Sequence, residues 1–517
     1  MGGHDIEVTH ERVVSRGDER QGRAASLPDN HPINALSAWR KFAILAVLSY
    51  SGFLANFSVA IIQVAFPALG HTFGVSPGLI PNTIGYNLLG IAAGPILIWN
   101  PLSKTLGRRP VYLLGSLFFI PCTVWMALSP SYISFAIARV VAGLVSSFSQ
   151  TVPPATITDI FVKEVRGSKM SMFGVAVVIA PAVSPLFCGL IVNASSWRNL
   201  FWLILGLAGL QFVLFFIIVP ETLWNPDVER ALTLTSGSTL EDDKGVEQHV
   251  ESASPASSPT TSGHVGAAWM PWQRPAEYMR IVLSPVLMVS TRHKPRLSRQ
   301  LRFLPITLTS LYYGSIFAWS VGITIVWPQK AEKPPYSFAE VPLGASFLAF
   351  GIGGLLGKWS GGIVGDKVVQ YFHRKTGHRQ PEHRLWALLP ILPLMLVSCC
   401  VIGLAYQRDL HYMLILVMGG SFFFALSAAT GILQTYVLET YLAKSMDAMA
   451  VFNLFKSMWG FAISFFVVEP WATEHGYLAE YVTQGCLAAG VGGLLCLGLL
   501  WRGFELRRAQ GMPVESR

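Results

Sequence analysis

The chain has 517 residues, of which 52% are hydrophobic and only 13% are charged. Soluble domains typically carry about 25% charged residues, so this composition argues against a soluble globular protein. The net charge of +9 does not indicate nucleic-acid binding, because the basic residues gather between apolar blocks. Each block has roughly the 20 residues that a helix needs to cross a bilayer. The sequence therefore predicts a multi-pass membrane protein in a lipid bilayer, with no nucleic-acid partner.

The apolar blocks predict twelve membrane-spanning helices and no strands. In chain order they cover residues 41–64, 78–99, 110–128, 132–156, 170–192, 198–219, 303–327, 342–364, 386–406, 411–437, 448–469 and 479–501. The six cysteines lie inside these blocks, which favours packing residues over a disulfide set or a metal site.

Polar segments divide the chain into five parts. Residues 1–39 lack a hydrophobic period and are expected to be a disordered N-terminus. Residues 221–302 have a centre rich in Ser, Thr, Pro and acids, which predicts a flexible linker. We therefore expect six-helix bundles at 40–220 and 303–501, joined by this linker and followed by a tail at 502–517.

Basic residues lie mostly on one side of the predicted helices. Examples are Lys104, Arg108 and Arg109 after the second helix, and Lys163, Arg166 and Lys169 after the fourth. Loops rich in lysine and arginine face the cytoplasm. With an even number of helices, both termini and the linker are expected to be cytoplasmic, and the cell membrane is the expected location.

A short basic segment, Asn100–Pro110, is predicted to be a turn between two helices. Gly107 allows a tight turn, and Pro110 suits the first turn of the next helix. A comparable segment, Gly361–Lys367, follows the second helix of the second half and contains Asp366. Two six-helix halves with matching basic loops are typical of an internally repeated transporter.

The segment Asn100–Pro110, with the following Val111-Tyr-Leu-Leu, resembles the signature loop of the major facilitator superfamily. Other stretches are similar to its fungal twelve-span drug:proton antiporter branch. They are Arg139-Val-Val-Ala-Gly143, Thr158-Asp-Ile-Phe161, Trp197-Arg198, Pro220-Glu-Thr-Leu-Trp224 and Pro381-Glu-His-Arg-Leu385. The resemblance covers about 40–224 and 303–501. It implies two pseudo-symmetric bundles, transport by alternating access, and coupling to protons.

The chain departs from the family pattern at Lys104, where the family usually has an aspartate. That acid is thought to help close the cytoplasmic gate, partly by facing a helix N-terminus, which a lysine cannot do. Asp366 keeps the acid in the second half. The gating residues expected from the loops are Lys104, Gly107, Arg108, Arg109, Asp159, Arg166 and Asp366. Asp159 is expected to pair with Arg166 or Lys104, or to act in the gate.

Two basic residues lie inside predicted helices. Arg139 shares a helix face with Gln150, and an arginine at that depth costs ~3 kcal/mol without a partner or a cavity. It could bind an anionic group or influence a proton site, which is what the family resemblance implies, or it could reach the outer headgroups. Lys456, three residues after Asn453, could serve transport or extend to the cytoplasmic surface.

The resemblance also implies that the first, fourth, seventh and tenth helices line the transport path. Polar and aromatic side chains on these helices would suit a bulky, partly apolar organic solute, although they could equally be packing residues. The candidates are Asn56, Gln63, Tyr312, Tyr313 and Gln434.

No phosphate-binding loop, metal-ligand cluster or catalytic arrangement stands out in the sequence. The chain is therefore interpreted as a monomeric secondary transporter, not an enzyme, without a cofactor. Proton-coupled export of a small organic molecule, such as a drug or secondary metabolite, is the first hypothesis. Uptake of a small nutrient such as a polyamine or polyol is the alternative, and a non-transporting sensor on the same fold ranks lower.

Overall fold

The structure is a computed structural model, and it describes residues 37–161, 163–222, 304–377, 380–440, 445–466 and 474–509. These described residues form helices and connecting turns, without a strand. Eleven of their helices are long and apolar enough to cross a membrane. Nearly all of the predicted N-terminal segment and nearly all of the predicted linker lie outside the described residues.

The first half of the chain contains helices α1 to α9. Their bounds are Ala38–Ala60 (α1), Phe66–Phe73 (α2), Asn82–Gly94 (α3), Asn100–Thr105 (α4), Arg108–Leu128 (α5), Tyr132–Ser146 (α6), Phe148–Ile160 (α7), Lys163–Ala194 (α8) and Arg198–Ile218 (α9). The first six spans are α1, then α3 with α4, α5, α6 with α7, α8, and α9.

The second half contains helices α10 to α15. Their bounds are Leu304–Ala331 (α10), Glu340–Thr376 (α11), Ile391–Gln407 (α12), Tyr412–Thr440 (α13), Ser445–Phe466 (α14) and Tyr477–Ala509 (α15). A 3₁₀ segment, Pro381–Leu388, precedes α12. These six helices are spans 7 to 12, so the two halves repeat one pattern.

The second span is built from three consecutive helical pieces. A π-helical turn at Pro95–Trp99 separates α3 from α4. Proline lacks the backbone N–H that would continue the regular ladder, and both the turn and α4 have a proline in their first two positions. The predicted second helix is therefore present, but as an interrupted helix.

Small residues bring the two halves into close contact along spans 5 and 8. A methyl group on Gly189 would collide with the backbone of Glu340, and one on Gly344 would collide with the backbone of Pro185. Two turns further along span 8, Gly351 lies against Ala182. Such approaches are how membrane helices pack tightly without a hydrophobic driving force.

Several predicted boundaries were wrong at the charged ends of helices. The first span ends at Ala60, so Gln63 lies in the following turn. The basic segment after span 2 is helical to Thr105 and turns only at Leu106 and Gly107. Span 8 continues to Thr376, and span 12 continues to Ala509. Hydropathy detects the part of a helix inside the bilayer, whereas these helices continue past their apolar segments.

Candidate functional site

A chain of hydrogen bonds joins the two halves through three sequence-predicted residues. Lys456 Nζ in span 11 donates to Gln150 Oε1 in span 4 at 2.9 Å. Gln150 Nε2 in turn donates to Asn56 Oδ1 in span 1 at 3.5 Å. Asn56 Nδ2 donates to the Gly52 carbonyl one turn earlier at 2.8 Å. This polar chain places side chains from spans 1, 4 and 11 in one connected group.

Lys456 is buried, with 6% of the residue exposed. Its Nζ lies 4.9 Å from the centre of the Phe317 ring in span 7, within the range of a cation–π contact. No ion pair in the described part of the chain includes Lys456. The side chain therefore does not extend to the surface, and its charge is met by one amide oxygen and one aromatic face.

Two further polar groups lie close to Lys456 in the sequence of span 11. Asn453 and Ser457 are buried, and neither Asn453 Nδ2 nor Ser457 Oγ has a hydrogen-bond partner. Buried polar groups are nearly always paired in folded proteins. We call Asn453, Lys456 and Ser457 the donor cluster.

Arg139 is fully buried and binds backbone carbonyls from two other spans. Its Nη1 and Nη2 donate to the carbonyls of Ser58 and Val59 at 2.8 Å each, and its Nε donates to the Thr83 carbonyl at 3.4 Å. Its own carbonyl accepts from Asn87 Nδ2 at 2.8 Å. Arg139 thus holds the C-terminal turn of span 1, where a cation is favourable, against spans 2 and 4.

The remaining candidates on the path helices have neighbours within their own half. Tyr312 donates to the Ala488 carbonyl in span 12 at 3.0 Å. Tyr313 is stacked on Phe452 at 4.2 Å between ring centres. Gln434 Nε2 contacts Met449 Sδ at 3.9 Å. Gln63 is buried in the turn after span 1, and its Oε1 has no hydrogen-bond partner.

At one end of the helix bundle, which we call the basic end, Arg108 and Glu221 organise the start of span 3. Arg108 Nη2 pairs with Asp159 Oδ2 at 3.2 Å, and its Nη1 donates to Ser103 Oγ at 2.7 Å. The backbone N–H groups of Arg108 and Arg109 donate to the two Glu221 carboxylate oxygens at 2.9 and 3.1 Å. Glu221 thus caps the helix N-terminus, where negative charge is favourable.

The structure revises one expectation about this end and confirms another. Asp159 pairs with Arg108, and not with Lys104 as one expectation had it; the Arg166 side chain lies outside the described residues. Gly107 has a φ of +101°, and a Cβ on it would meet the Glu221 carboxylate. The tight turn predicted at Gly107 is confirmed, for both conformational and steric reasons.

Lys104 forms an ion pair that crosses between the halves. Its Nζ lies 2.6 Å from Asp447 Oδ1, and the two side chains are 31% and 11% exposed. Asp447 is in the first turn of α14, where the helix dipole favours an acid. The N-terminus of α14 therefore still has an acidic partner, but the acid belongs to α14 itself, and the lysine approaches from the last turn of α4.

The second half has a related cluster at the same end. Arg384 Nη1 pairs with Asp366 Oδ1 at 2.8 Å, and its Nη2 pairs with Glu439 Oε1 at 3.1 Å. The Arg384 side chain is buried, whereas that of Asp366 is 63% exposed. The Arg384 guanidinium, in the 3₁₀ segment before α12, thus joins the C-terminal part of span 8 to the end of span 10.

Sequence reasoning missed several of these charged residues. Asp447, Arg384 and Glu221 had no assigned role, because their partners are remote in sequence. Lys358 lies against Gly174 between spans 8 and 5; a lysine inside the apolar run 342–364 was an available signal. Glu480 in span 12 is fully buried and accepts from Gln484 at 2.8 Å.

The profile of the Major Facilitator Superfamily matches residues 48–466. The chain belongs to the major facilitator superfamily. It is therefore a multi-pass membrane transporter that binds a small organic substrate, and it is not an enzyme. The two six-helix halves of the structure are those of this superfamily.

Fungal members of the superfamily are similar to this chain over most of its length. The MFS antiporter QDR3 of Candida albicans is 20% identical over 89% of this chain and 76% of its own length. The MFS-type transporter penM of Penicillium rubens is 24% identical, covering 89% and 85%. The multidrug transporter DTR1 of Candida glabrata is 24% identical, covering 83% and 78%.

Solved structures of the same superfamily share the fold. The xylose transporter XylE from E. coli, in a partially occluded inward-open conformation, aligns with a TM-score of 0.60 at 16% identity, over 90% of this chain and 98% of its own. The human organic anion transporter MFSD10 aligns with a TM-score of 0.56 at 16% identity, covering 88% and 99%. At these identities the likeness concerns the fold alone.

Proposed function

We propose that this transporter exports a small organic molecule from the cytoplasm in exchange for protons, by alternating access. The observation that carries the proposal is the polar chain Asn56–Gln150–Lys456, which spans the boundary between the two halves. Alternating access requires a site whose contacts to one half can be broken while those to the other remain. Each chain contains both halves, so the proposed functional unit is a monomer.

The proposed orientation puts the basic end in the cytoplasm, with both termini on that side, in the cell membrane. The excess of lysine and arginine at this end supports it. In this orientation the Lys104–Asp447 pair would close the cytoplasmic side, because it joins the last turn of span 2 to the start of span 11. A small cavity near that end is lined by residues of spans 4, 5, 10 and 11, among them Ala155, Met170, Leu438 and Met449.

Transport of drugs by exchange is supported by two fungal relatives, which are described as an antiporter and a multidrug transporter; the proton as the exchanged ion is part of our proposal. The energy is sufficient for this role. One proton moving down ~100 mV and one pH unit supplies about 3.7 kcal/mol, which sustains roughly a 500-fold gradient of a neutral solute. Arg139 would support the path by fixing the end of span 1, so Arg139→Ala should abolish flux.

The test is the accumulation of a panel of drugs and organic acids in yeast cells with and without this protein. Export predicts lower accumulation of at least one compound, reversed by a proton uncoupler. Gln150→Leu should reduce this export at least ~10-fold, because it removes the hydrogen bond between the halves. Gln211→Leu is the matched control: Gln211 is also a buried glutamine, but it bonds to Ser51 within the first half.

Other outcomes point to the other functions. Higher accumulation would indicate uptake, as in the nutrient-transport hypothesis. No change for any compound, with the protein present at the cell surface, would favour a sensor. Equal export by Gln150→Leu and wild type would show that the polar chain is not the transport site.

A further inference from the structure

We infer that the cargo is an organic oxyanion, of which a carboxylate is the simplest case, and that Lys456 receives its negative group in place of Gln150. This inference rests on the proposed function, because it names the substrate class for the same site. Four features of the described residues support it: the unpaired charge of Lys456, the surplus of hydrogen-bond donors around it, the position of the acids, and the identity of its present partner.

The charge of Lys456 has no anionic partner in the described part of the chain. Only 6% of Lys456 is exposed, and an ammonium group removed from water needs a counter-charge. An anionic cargo would supply that charge, whereas a cationic cargo would add a second uncompensated one.

The donor cluster offers hydrogens without acceptors. A lysine ammonium has three N–H donors, and among the described residues Lys456 donates one hydrogen bond, to Gln150 Oε1. Asn453 Nδ2, one turn earlier on the same face, has no partner. A carboxylate is acceptor-only and offers about four lone-pair sites, so it complements this cluster; an amine cargo does not.

Several acids of the described residues lie elsewhere and already have hydrogen-bonding or basic partners. Asp447, Asp366 and Glu439 are paired with Lys104 or Arg384 at the basic end. Glu480 is in span 12 and accepts a hydrogen bond from Gln484. None of them forms an ion pair with Lys456, so an organic cation would find no carboxylate at this position.

Gln150, the present partner of Lys456, belongs to the other half of the protein. Its neutral amide oxygen is a weaker acceptor for an ammonium group than a carboxylate is. An oxyanion that takes Lys456 from Gln150 would also remove the hydrogen bond that joins span 11 to span 4. Cargo binding and separation of the halves are thereby linked through one nitrogen atom.

The test uses the purified full chain and a panel of aromatic carboxylates, each with its primary amide and its amine analogue. Two readouts are measured for every compound: protection of the protein against thermal unfolding, and flux in proteoliposomes. Carboxylates should bind about 10- to 100-fold more tightly than their amides, the range expected for a hydrogen bond to a charged group. Amines should give no protection.

Variants separate the charge of Lys456 from its packing. Lys456→Gln should bind carboxylates about 10- to 100-fold more weakly than wild type. Lys456→Arg should keep most of the affinity, because it retains the charge. Lys330→Gln is the matched control, since Lys330 lies over the Tyr477 ring and outside the polar chain. If Lys456→Gln does not fold, Asn453→Leu tests the same cluster, with a smaller loss expected.

Each outcome decides one of the two proposals. Amides or amines that bind as well as carboxylates, unchanged carboxylate binding by Lys456→Gln, or no binding by any carboxylate would overturn the anion inference. Flux of neutral compounds or amines would overturn it while leaving the transporter proposal intact. Carboxylate binding that needs Lys456 but produces no flux would support the anion site and overturn export.

Discussion

The two charged clusters at the basic end occupy corresponding positions in the two halves, but they differ in one charge. Each has a buried arginine at the start of its third helix that pairs with an acid at the end of the fourth: Arg108 with Asp159, and Arg384 with Glu439. The corresponding charged residue of the second span is Lys104, in the last turn of α4, in the first half and Asp366, within the C-terminal part of α11, in the second.

This one difference determines whether the residue pairs within its own half or with the opposite half. Asp366 pairs with Arg384 inside its own half, whereas Lys104 pairs with Asp447 in the opposite half. The arginine–acid pairs thus connect helices within each bundle. The ion pair between the two halves at this end, among the described residues, is formed by Lys104 with Asp447. The positive charge of Lys104, where the second half has Asp366, is matched by Asp447 at the N-terminus of α14, where the helix dipole favours an acid.

The largest effect is expected from Arg384→Ala, which removes the shared partner of Asp366 and Glu439. Asp366 and Glu439 are partly exposed, so each lost ion pair should cost only ~1 kcal/mol. Removal of the buried arginine side chain adds a packing loss of ~2 kcal/mol or more. The unfolding temperature of the purified protein should therefore fall sharply, and the yield of folded protein should drop. Arg374→Ala, at an exposed arginine near the end of span 8, is the control. Equal stability of the two variants would show that the second-half cluster does not hold the bundle together.

Gly107 and Gly377 provide a second contrast between the halves. Both have positive φ, but a methyl group on Gly107 would meet the Glu221 carboxylate, whereas one on Gly377 would meet nothing within 4 Å. Gly107→Ala should cost about 2–3 kcal/mol, and Gly377→Ala about 1 kcal/mol, from backbone strain alone. Thermal unfolding of both variants measures the difference, and a smaller loss for Gly107→Ala would contradict the capping role of Glu221.

Lys104→Asp tests the cross-half ion pair directly. It places two acids together, so the basic end should open more often; because Lys104 is 31% exposed, the expected change is about 1 kcal/mol, or roughly five-fold in rate. The measurement is the labelling rate of Ala155→Cys, in the small cavity, by a thiol reagent in a background without the native cysteines.

The double variant Lys104→Asp, Asp447→Lys is the control for charge alone. It restores the ion pair but puts a lysine at a helix N-terminus, where the dipole opposes it. Labelling should therefore return only part of the way to the starting rate. If Lys104→Asp labels no faster than the parent, the ion pair does not close this end.

The smallest effect is expected away from the basic end, at Glu332 between spans 7 and 8. Burial and the nearby Glu340 carboxylate raise the pKa of Glu332 to about 7, partly opposed by Lys333. The folded state then holds a proton that the unfolded state releases from about pH 4.5 upward, so this stabilisation is present at pH 4 and is lost as the pH rises through 7. Wild type should lose more thermal stability between pH 5 and 8 than Glu332→Gln.

Glu505→Gln is the control for this measurement, because Glu505 is an exposed acid in the described residues. It should leave the pH profile of wild type unchanged. Identical profiles for wild type and Glu332→Gln would show that the buried carboxyl does not contribute to stability.

The candidate site was only partly accessible from sequence. Arg139, Gln150, Asn56 and Lys456 stand out because polar groups in apolar blocks are costly. Their partners were not accessible: Arg139 was expected to serve an anion, a proton site or the headgroups, yet it binds carbonyls of spans 1 and 2. Hydropathy and helix faces identify the buried polar residues of a span, but not the neighbouring span that each one meets.

The sequence by itself determined the number, order and type of the spans, and the family, because transfer of apolar helices into a bilayer depends on local composition. It also determined which ends carry the basic loops. Only the tertiary structure decided the pairs that join the halves. Lys104 and Asp447 are 343 residues apart in sequence, and Lys456 and Gln150 are 306 apart. Such pairs form only when the two bundles pack together, and that packing depends on contacts that local sequence patterns do not contain.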